Sequence, residues 1–397
     1  MSTCLDKFGK NLSAAFRKKG LELSMPMNDF LLNLRNSGYN MEIVEFESKE
    51  VKDTILNMVL ESNANSSINV CLRNHFFPSF GKIDLLSGSC GIDKLVDSSK
   101  TIYLISDCGH SLDVCESEYG IKYPTVVDLI KQILQTSDRF IDLFLEYNPI
   151  NNPEEFADCH MTRVEKLYHR CFEGKGGFCP PNARIHWADF RVGDTEYTQI
   201  EQTMIYEIKY DKVKFLSSLR KIANIYENKE QMYDWTMGLI ERNRKLKKEF
   251  SNVKPIYRDE IIFSCIVAMH EGNMRKGLPV LVALESMLNR LDEQNGGRFL
   301  KDYLSDSANF KKYRYAIISP YAILMDIYLI SRIFKTFNIR DVCHPPQAVN
   351  VLVYVGSAHA AHYRKVLQNM KFKLAEYSTF VSQNCCNISD LIQPFFS

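Results

Sequence analysis

The sequence predicts an α/β fold: a predominantly parallel sheet with flanking helices and a large helical insertion. Three observations lead there. TIYLISD (101–107), RFIDLFLEYNP (139–149) and AVNVLVYVG (348–356) contain short continuous apolar runs of the kind that form buried strands. A helix-period segment, YPTVVDLIKQILQTS (123–137), separates the first two, so strand, crossover helix and strand follow one another as in a parallel βαβ unit. Between the second and third strands the chain turns long, charged and helical, from 199 to 337.

Taken in order, residues 1–95 read as an N-terminal helical and mixed region and 96–397 as the α/β core domain. Residues 8–20 have the pattern of a basic amphipathic helix, ESNANSSI (61–68) reads as a turn or linker, and PSFGKIDLLSGSCG (78–91) as loop. Asn148-Pro149 stops the second strand. The segment 150–183, rich in Asn, Cys, His, Gly and Pro, reads as an insertion over the sheet, followed by a short strand in ARIHWADFR (183–191). In SPYAILMDIYLISRIFKTF, Ile323, Ile327, Ile330 and Phe334 recur at three- and four-residue steps and predict a helix with one stripe against the sheet. CHPPQ (343–347) prevents that helix from continuing. After the last strand a helix is expected from about 360 to 370.

At 397 residues, 45% hydrophobic and 12% aromatic, the chain can build a large core. Its formal charge of +1, from 49 Lys+Arg and 48 Asp+Glu, supplies no global field for nucleic acid or an anionic membrane. Nucleic acid is therefore not an expected partner, and the basic run ERNRKLKKEF (241–250) reads as solvated helix surface. No apolar run approaches the ~18 residues of a membrane span, and the N-terminus lacks a secretory h-region. The chain is therefore not expected to be secreted. The apolar tail NISDLIQPFF (387–396) is a candidate docking segment for a protein partner. The sequence names no small-molecule or peptide substrate.

Ligands of open α/β sheets meet the C-terminal ends of strands, and three candidate strands carry polar groups there. TIYLISDCGHS ends in Asp107 and His110, RFIDLFLEYNP contains Asp142 and ends in Glu146, and VLVYVGSAHAAHY ends in His359 and His362. RIHWADFR adds Arg184, His186, Asp189 and Arg191. Imidazoles titrate near neutrality and carboxylates orient them, which suits general acid–base chemistry. His110, Glu146 and His359 would also suit a divalent metal with mixed nitrogen and oxygen ligands. Each has a plainer reading: Asp107 as a turn cap, Glu146 as a solvated strand end, His186, Asp189 and Arg191 as a structural ion-pair cluster. His362 is expected to face solvent on the first helical turn. Gly356 allows close backbone approach, and the helix start after it presents unpaired N–H groups.

Twelve cysteines include no CxxC pair, and buried, reduced thiols are the first expectation. Cys159, His160, His169, Cys171 and Cys179 contain enough ligand types for a zinc site, although CHx8HxCx7C is not a knuckle spacing. Cys171 and Cys179 would alternatively close a nine-residue disulfide loop.

Taken together, SDCGH, the DLFLE run and GSAH resemble the hydrolase-like superfamily of erythromycin esterases, TraB/Tiki proteins and ChaN-like proteins. The resemblance covers islands at about 100–191 and 350–365. It implies an α/β core with a first-loop histidine at His110, a strand-end acid at Glu146 and a late histidine at His359. The first motif reads SDCGH where the esterase-like branch has Gly-Glu-x-His. In its Asn-, Lys-, Tyr- and Cys-rich style, with RIHWADFR and YAILMDIYLISRIF, the chain is also similar to uncharacterised proteins of large cytoplasmic DNA viruses, a likeness that implies a location in the host cytoplasm or a virion. The enzyme expectation is a hydrolase in which Glu146 or His359 activates water, with a candidate divalent metal, while His110 and Arg191 polarise or bind the attacked group. The alternative is a non-catalytic structural or interaction protein, such as a virion component.

Overall fold

The computed structural model describes residues 12–22, 83–107, 123–137, 139–146, 160–173, 182–188, 211–271, 274–338, 345–382 and 385–393, with isolated positions at 25–26, 29–30, 50–51, 54, 115, 180 and 395–396. Its strands are β1 (Leu85–Ser87), β2 (Gly91–Val96), β3 (Thr101–Asp107), β4 (Ile141–Leu145), β5 (Ala183–Trp187), β6 (Asn350–Gly356), β7 (Lys373–Tyr377), β8 (Thr379–Ser382) and β9 (Cys385–Asn387). Its helices are α1 (Val126–Thr136), α2 (His160–Glu173), α3 (Lys212–Glu227), α4 (Lys229–Arg242), α5 (Arg244–Ser251), α6 (Pro255–Glu271), α7 (Met274–Asn289), α8 (Glu293–Ser305), α9 (Ser307–Phe334) and α10 (Ser357–Asn369). Residues 12–19 are helical too, with Leu12 and Phe16 buried.

Six strands form one mixed sheet in the order β5-β4-β6-β3-β2-β7. The three segments read as core strands are its centre: β6 pairs in parallel with β3 on one side and β4 on the other. Their continuous apolar character follows from burial on both faces. Ile102, Leu104, Phe144, Val351 and Val353 join one core, and Tyr103, Ile105, Leu143, Leu145, Leu352 and Tyr354 join the other. The second core is closed by α1, α2 and the C-terminal residues, whose Phe395 and Phe396 pack edge-on against Tyr103 at 4.7 and 4.8 Å. Ile388, Leu391, Phe395 and Phe396 of the tail are thus buried in this chain, and Ile392 stays exposed. A three-stranded antiparallel sheet, β1-β9-β8, lies at this end.

The expectation of a sheet-based, predominantly parallel α/β fold is overturned. The described residues are predominantly helical, 60% helix against 19% strand, with small mixed sheets. Two strands of the larger sheet, β2 and β7, run antiparallel to their neighbours. The larger core is built chiefly by residues of α3 to α9 packing on one another, so the stretch read as an insertion on a sheet is the greater part of the structure. α9 is buried on nearly all sides over Tyr321–Phe334 rather than along one stripe. The segment read as irregular at 150–183 contains α2, and the segment read as loop at 78–91 supplies β1.

Among the described residues no single helix is long and apolar enough to cross a membrane. Cysteine usage departs from expectation in one disulfide and agrees with it in two buried thiols. Cys115 and Cys385 form a disulfide across 270 residues of sequence, and Cys265 and Cys386 are free and buried.

Candidate functional site

Strand register brings the central strand ends together. Asp107, the last residue of β3, lies opposite Gly356, the last of β6. Glu146 follows β4 directly, its N–H donating to Tyr354 O at 3.2 Å. α10 begins at Ser357, immediately after Gly356, not near 360 as the sequence suggests. His359 therefore sits in the first turn, with His362 three residues on along the same face.

The Gly356 N–H donates to Glu146 Oε2 at 2.8 Å, so the carboxylate occupies the positive end of α10. A Cβ at Gly356 would lie 3.3 Å from that same oxygen, the close approach for which glycine is suited. His359 Nε2 is 3.4 Å from Glu146 Oε1, and its Nδ1 is 3.4 Å from Asp326 Oδ1. Asp326 comes from α9 and is only 2% exposed. Its second oxygen is 3.0 Å from His362 Nε2. His359 thus bridges two carboxylates, and Asp326 bridges two imidazoles. Burial alone would raise Asp326, but the charge and hydrogen bonding of His362 and His359 hold its carboxyl well below the usual carboxylate range. Burial first, and then the Asp326 charge, push the Cys265 thiol far up, which leaves it an inert core thiol.

A second cluster forms lower on the same face of the sheet. Asp142, fully buried on β4, accepts from Arg184 Nε at 2.6 Å and Nη2 at 3.2 Å, and it lies 2.7 Å from His186 Nε2. Arg184 and His186 are alternate residues of β5 and so share its inner face. The other nitrogen of His186 faces Arg332 Nη2 of α9 at 3.0 Å. Arg332 continues to Glu249 at 3.2 Å, and Glu249 also takes Lys335. The His186 ring is stacked between Phe144 at 4.3 Å and Phe337 at 5.1 Å. Burial lowers the His186 pKa to about 4, with Asp142 pulling it up and Arg332 and Arg184 pulling it down. The ring is neutral at pH 7, donating to Asp142 and accepting from Arg332.

Of the residues expected at one site, Glu146 and His359 meet, while His186 belongs to the other cluster with Asp142 and Arg184. His110, Asp189 and Arg191 lie outside the described residues. His362, expected at the surface, is buried against Asp326 because α10 starts early and turns it toward α9. The sequence reading missed Asp326 and Arg332. Their signal was one carboxylate and one guanidinium inside YAILMDIYLISRIF, where an ionised group is tolerated only with partners.

Glu146 and His359, two of the three expected metal ligands, are neighbours, but the two imidazole nitrogens face different carboxylates rather than a common point. Among the described residues no group of three or more His, Cys, Asp or Glu is arranged to hold a metal ion. Of the zinc candidates, His160 is buried with its ring against Gly88, where a Cβ would lie 2.4 Å from the ring. Gly88 has φ +78°, so glycine is required there on both counts. Cys159 and Cys179, and the side chains of His169 and Cys171, lie outside the described residues. Comparison of the chain with protein-family models, curated proteins and solved structures gave no match.

Proposed function

We propose that the chain is a hydrolase whose general base is His359. The observation that carries this reading is the Asp326–His359–Glu146 bridge, partly open to solvent at the end of the central strand. Asp326 orients the ring through Nδ1 and stabilises the imidazolium as it forms. Nε2, 19% exposed on its side chain and next to Glu146, removes a proton from water. The hydroxide attacks an ester or similar electrophilic centre, the bond to the leaving group breaks, and the imidazolium returns the proton to that group. Glu146, fixed by the Gly356 N–H, positions the water. A divalent metal would need His110 beside Glu146 and His359.

The test is turnover of a panel of chromogenic esters, amides and phosphoesters by the full chain, with and without added divalent metal. A wild-type rate that falls at least ~100-fold in His359→Gln, with the unfolding midpoint preserved, is the expected result. No turnover on any substrate, or full activity in His359→Gln, would overturn it.

The second reading, a non-catalytic structural or interaction protein of the host cytoplasm or a virion, is favoured by one feature. Tyr377, Phe380 and Val381 on β7 and β8 are more than half exposed, as is Ile392 of the tail. Both strands are sheet edges. Sedimentation of the purified chain across a concentration series distinguishes the readings: self-assembly with no turnover supports the structural one.

A further inference from the structure

The basic run at 241–250 forms a face rather than an isolated charged stretch. α5 buries Leu246 and Phe250, and it turns Glu249 inward to Arg332 and Lys335. Every other residue of the helix is exposed: Arg244, Lys245, Lys247, Lys248 and Ser251. At the helical repeat these five occupy one uninterrupted arc, opposite the two core residues. Residues 242–258 hold seven Lys and Arg against one Asp or Glu, in a chain whose net charge is +1. Glu241 answers Lys247 at 2.5 Å in an exposed pair of little energetic weight.

Neighbouring elements add to the same sign. Val253 bridges to Lys335, which brings the C-terminal end of α9 beside Lys254. Burial, and then the nearby Arg332, hold Lys335 below the ordinary lysine value, with Arg184 acting in the same direction and Glu249 against them. Lys254 likewise opposes the charge of Lys100, although burial is the larger cause there and Asp97 and Asp142 oppose it. Lys245 lies 3.9 Å from the ring centre of the half-buried Trp187, at the outer edge of the sheet. The positive face therefore borders an indole.

We infer that the α5 face binds nucleic acid through its phosphate backbone, without reading sequence. Charge complementarity selects a polyanion. An anionic membrane suits the face less well, because the apolar residues of α5, Leu246 and Phe250, are spent in the core and its exposed arc is wholly polar. The bordering indole adds a surface on which a base can stack.

The experiment is fluorescence anisotropy of the full chain with single-stranded and duplex oligonucleotides of unrelated sequence. Four phosphate contacts would weaken binding about 100-fold between about 50 and 200 mM salt. The triple variant Arg244→Gln, Lys245→Gln, Lys248→Gln should bind more than ~10-fold more weakly at low salt, with a salt slope shallower by nearly three. Circular dichroism should be unchanged, since those three side chains are exposed. Absence of binding at low salt, an unchanged triple variant, or equal affinity for phosphatidylserine vesicles or polyglutamate would each overturn the assignment.

Discussion

Two histidine–carboxylate clusters lean on one helix, and they use the same residue types to different ends. In the inner cluster Asp142 is fully buried and receives a guanidinium and an imidazole, and His186 has both ring nitrogens engaged and its faces covered by Phe144 and Phe337. In the outer cluster Asp326 is equally buried, but its partners are two imidazoles, one of them within reach of water. Burial of the inner ring and the two arginines around it, Arg184 and Arg332, make the difference. Burial first, and then the charges of Arg332 on its other nitrogen and Arg184 beside Asp142, keep His186 neutral and fixed. Asp326 has imidazoles alone among its described partners, and their charge and hydrogen bonding hold its carboxyl well down, so an ionised acceptor faces His359 Nδ1, the arrangement a general base needs.

The largest expected effect comes from removing the inner carboxylate. Asp142→Asn leaves Arg184 facing a neutral amide in a dry site and should cost about 3–5 kcal/mol, the scale of breaking a buried ion pair. Asp326→Asn should cost less, about 1–3 kcal/mol, since it disturbs contacts to two imidazoles and leaves no guanidinium facing a neutral amide. Urea unfolding of the two variants measures the difference. If Asp326→Asn is the more damaging, the outer cluster is the structural one and its catalytic reading loses its footing.

Acid should separate the clusters next. The folded pKa of His186 is depressed from 6.5 to about 4, so the unfolded chain takes up this proton first. The associated stability is complete above about pH 6.5 and declines as pH falls toward 4, by about 3 kcal/mol in all. Asp326 is also depressed, but from the ordinary carboxylate value of 3.8, so its contribution is lost only below that pH. His270 is also held below its ordinary value, first by burial and then by Lys229, so it too loses stability as pH falls below 6.5. The informative quantity is therefore the difference in slope between wild type and His186→Asn, from unfolding free energies at pH 7, 5.5 and 4.5. Equal slopes would show that His186 is not the group responsible.

Legibility of these features tracked how local their cause is. Strands β3, β4 and β6 could be read because burial on both faces leaves an unbroken apolar run. The weight of the helical half could not, because α3 to α9 bury one another and periodicity does not reveal whether a helix packs on a sheet or on another helix. β7, β8 and β9 are short or exposed strands with little pattern to read, and in β2 Asp93 and Lys94 interrupt the apolar run. At the site, Glu146 and His359 were legible as strand-end polar groups. Asp326 was not, since its partners are 33 and 36 residues away in α10. The split of His186 from the other candidates followed from Arg332, 146 residues distant.

The smallest expected effect is also the most discriminating within the outer cluster. Gly356 has φ −57°, which alanine adopts without strain, so Gly356→Ala tests the close approach alone. The added methyl would meet Glu146 Oε2 at 3.3 Å, and the carboxylate must retreat by a few tenths of an ångström. Loss of glycine at this helix N-cap should cost at most about 1 kcal/mol. Retreat of Glu146 also lengthens its contact with His359, now 3.4 Å. If Glu146 positions the water that His359 activates, kcat should fall several-fold while the His359 pH profile is retained, whereas stability barely moves. A variant with wild-type kcat would remove Glu146 from the mechanism and leave Asp326 and His359 as the working pair.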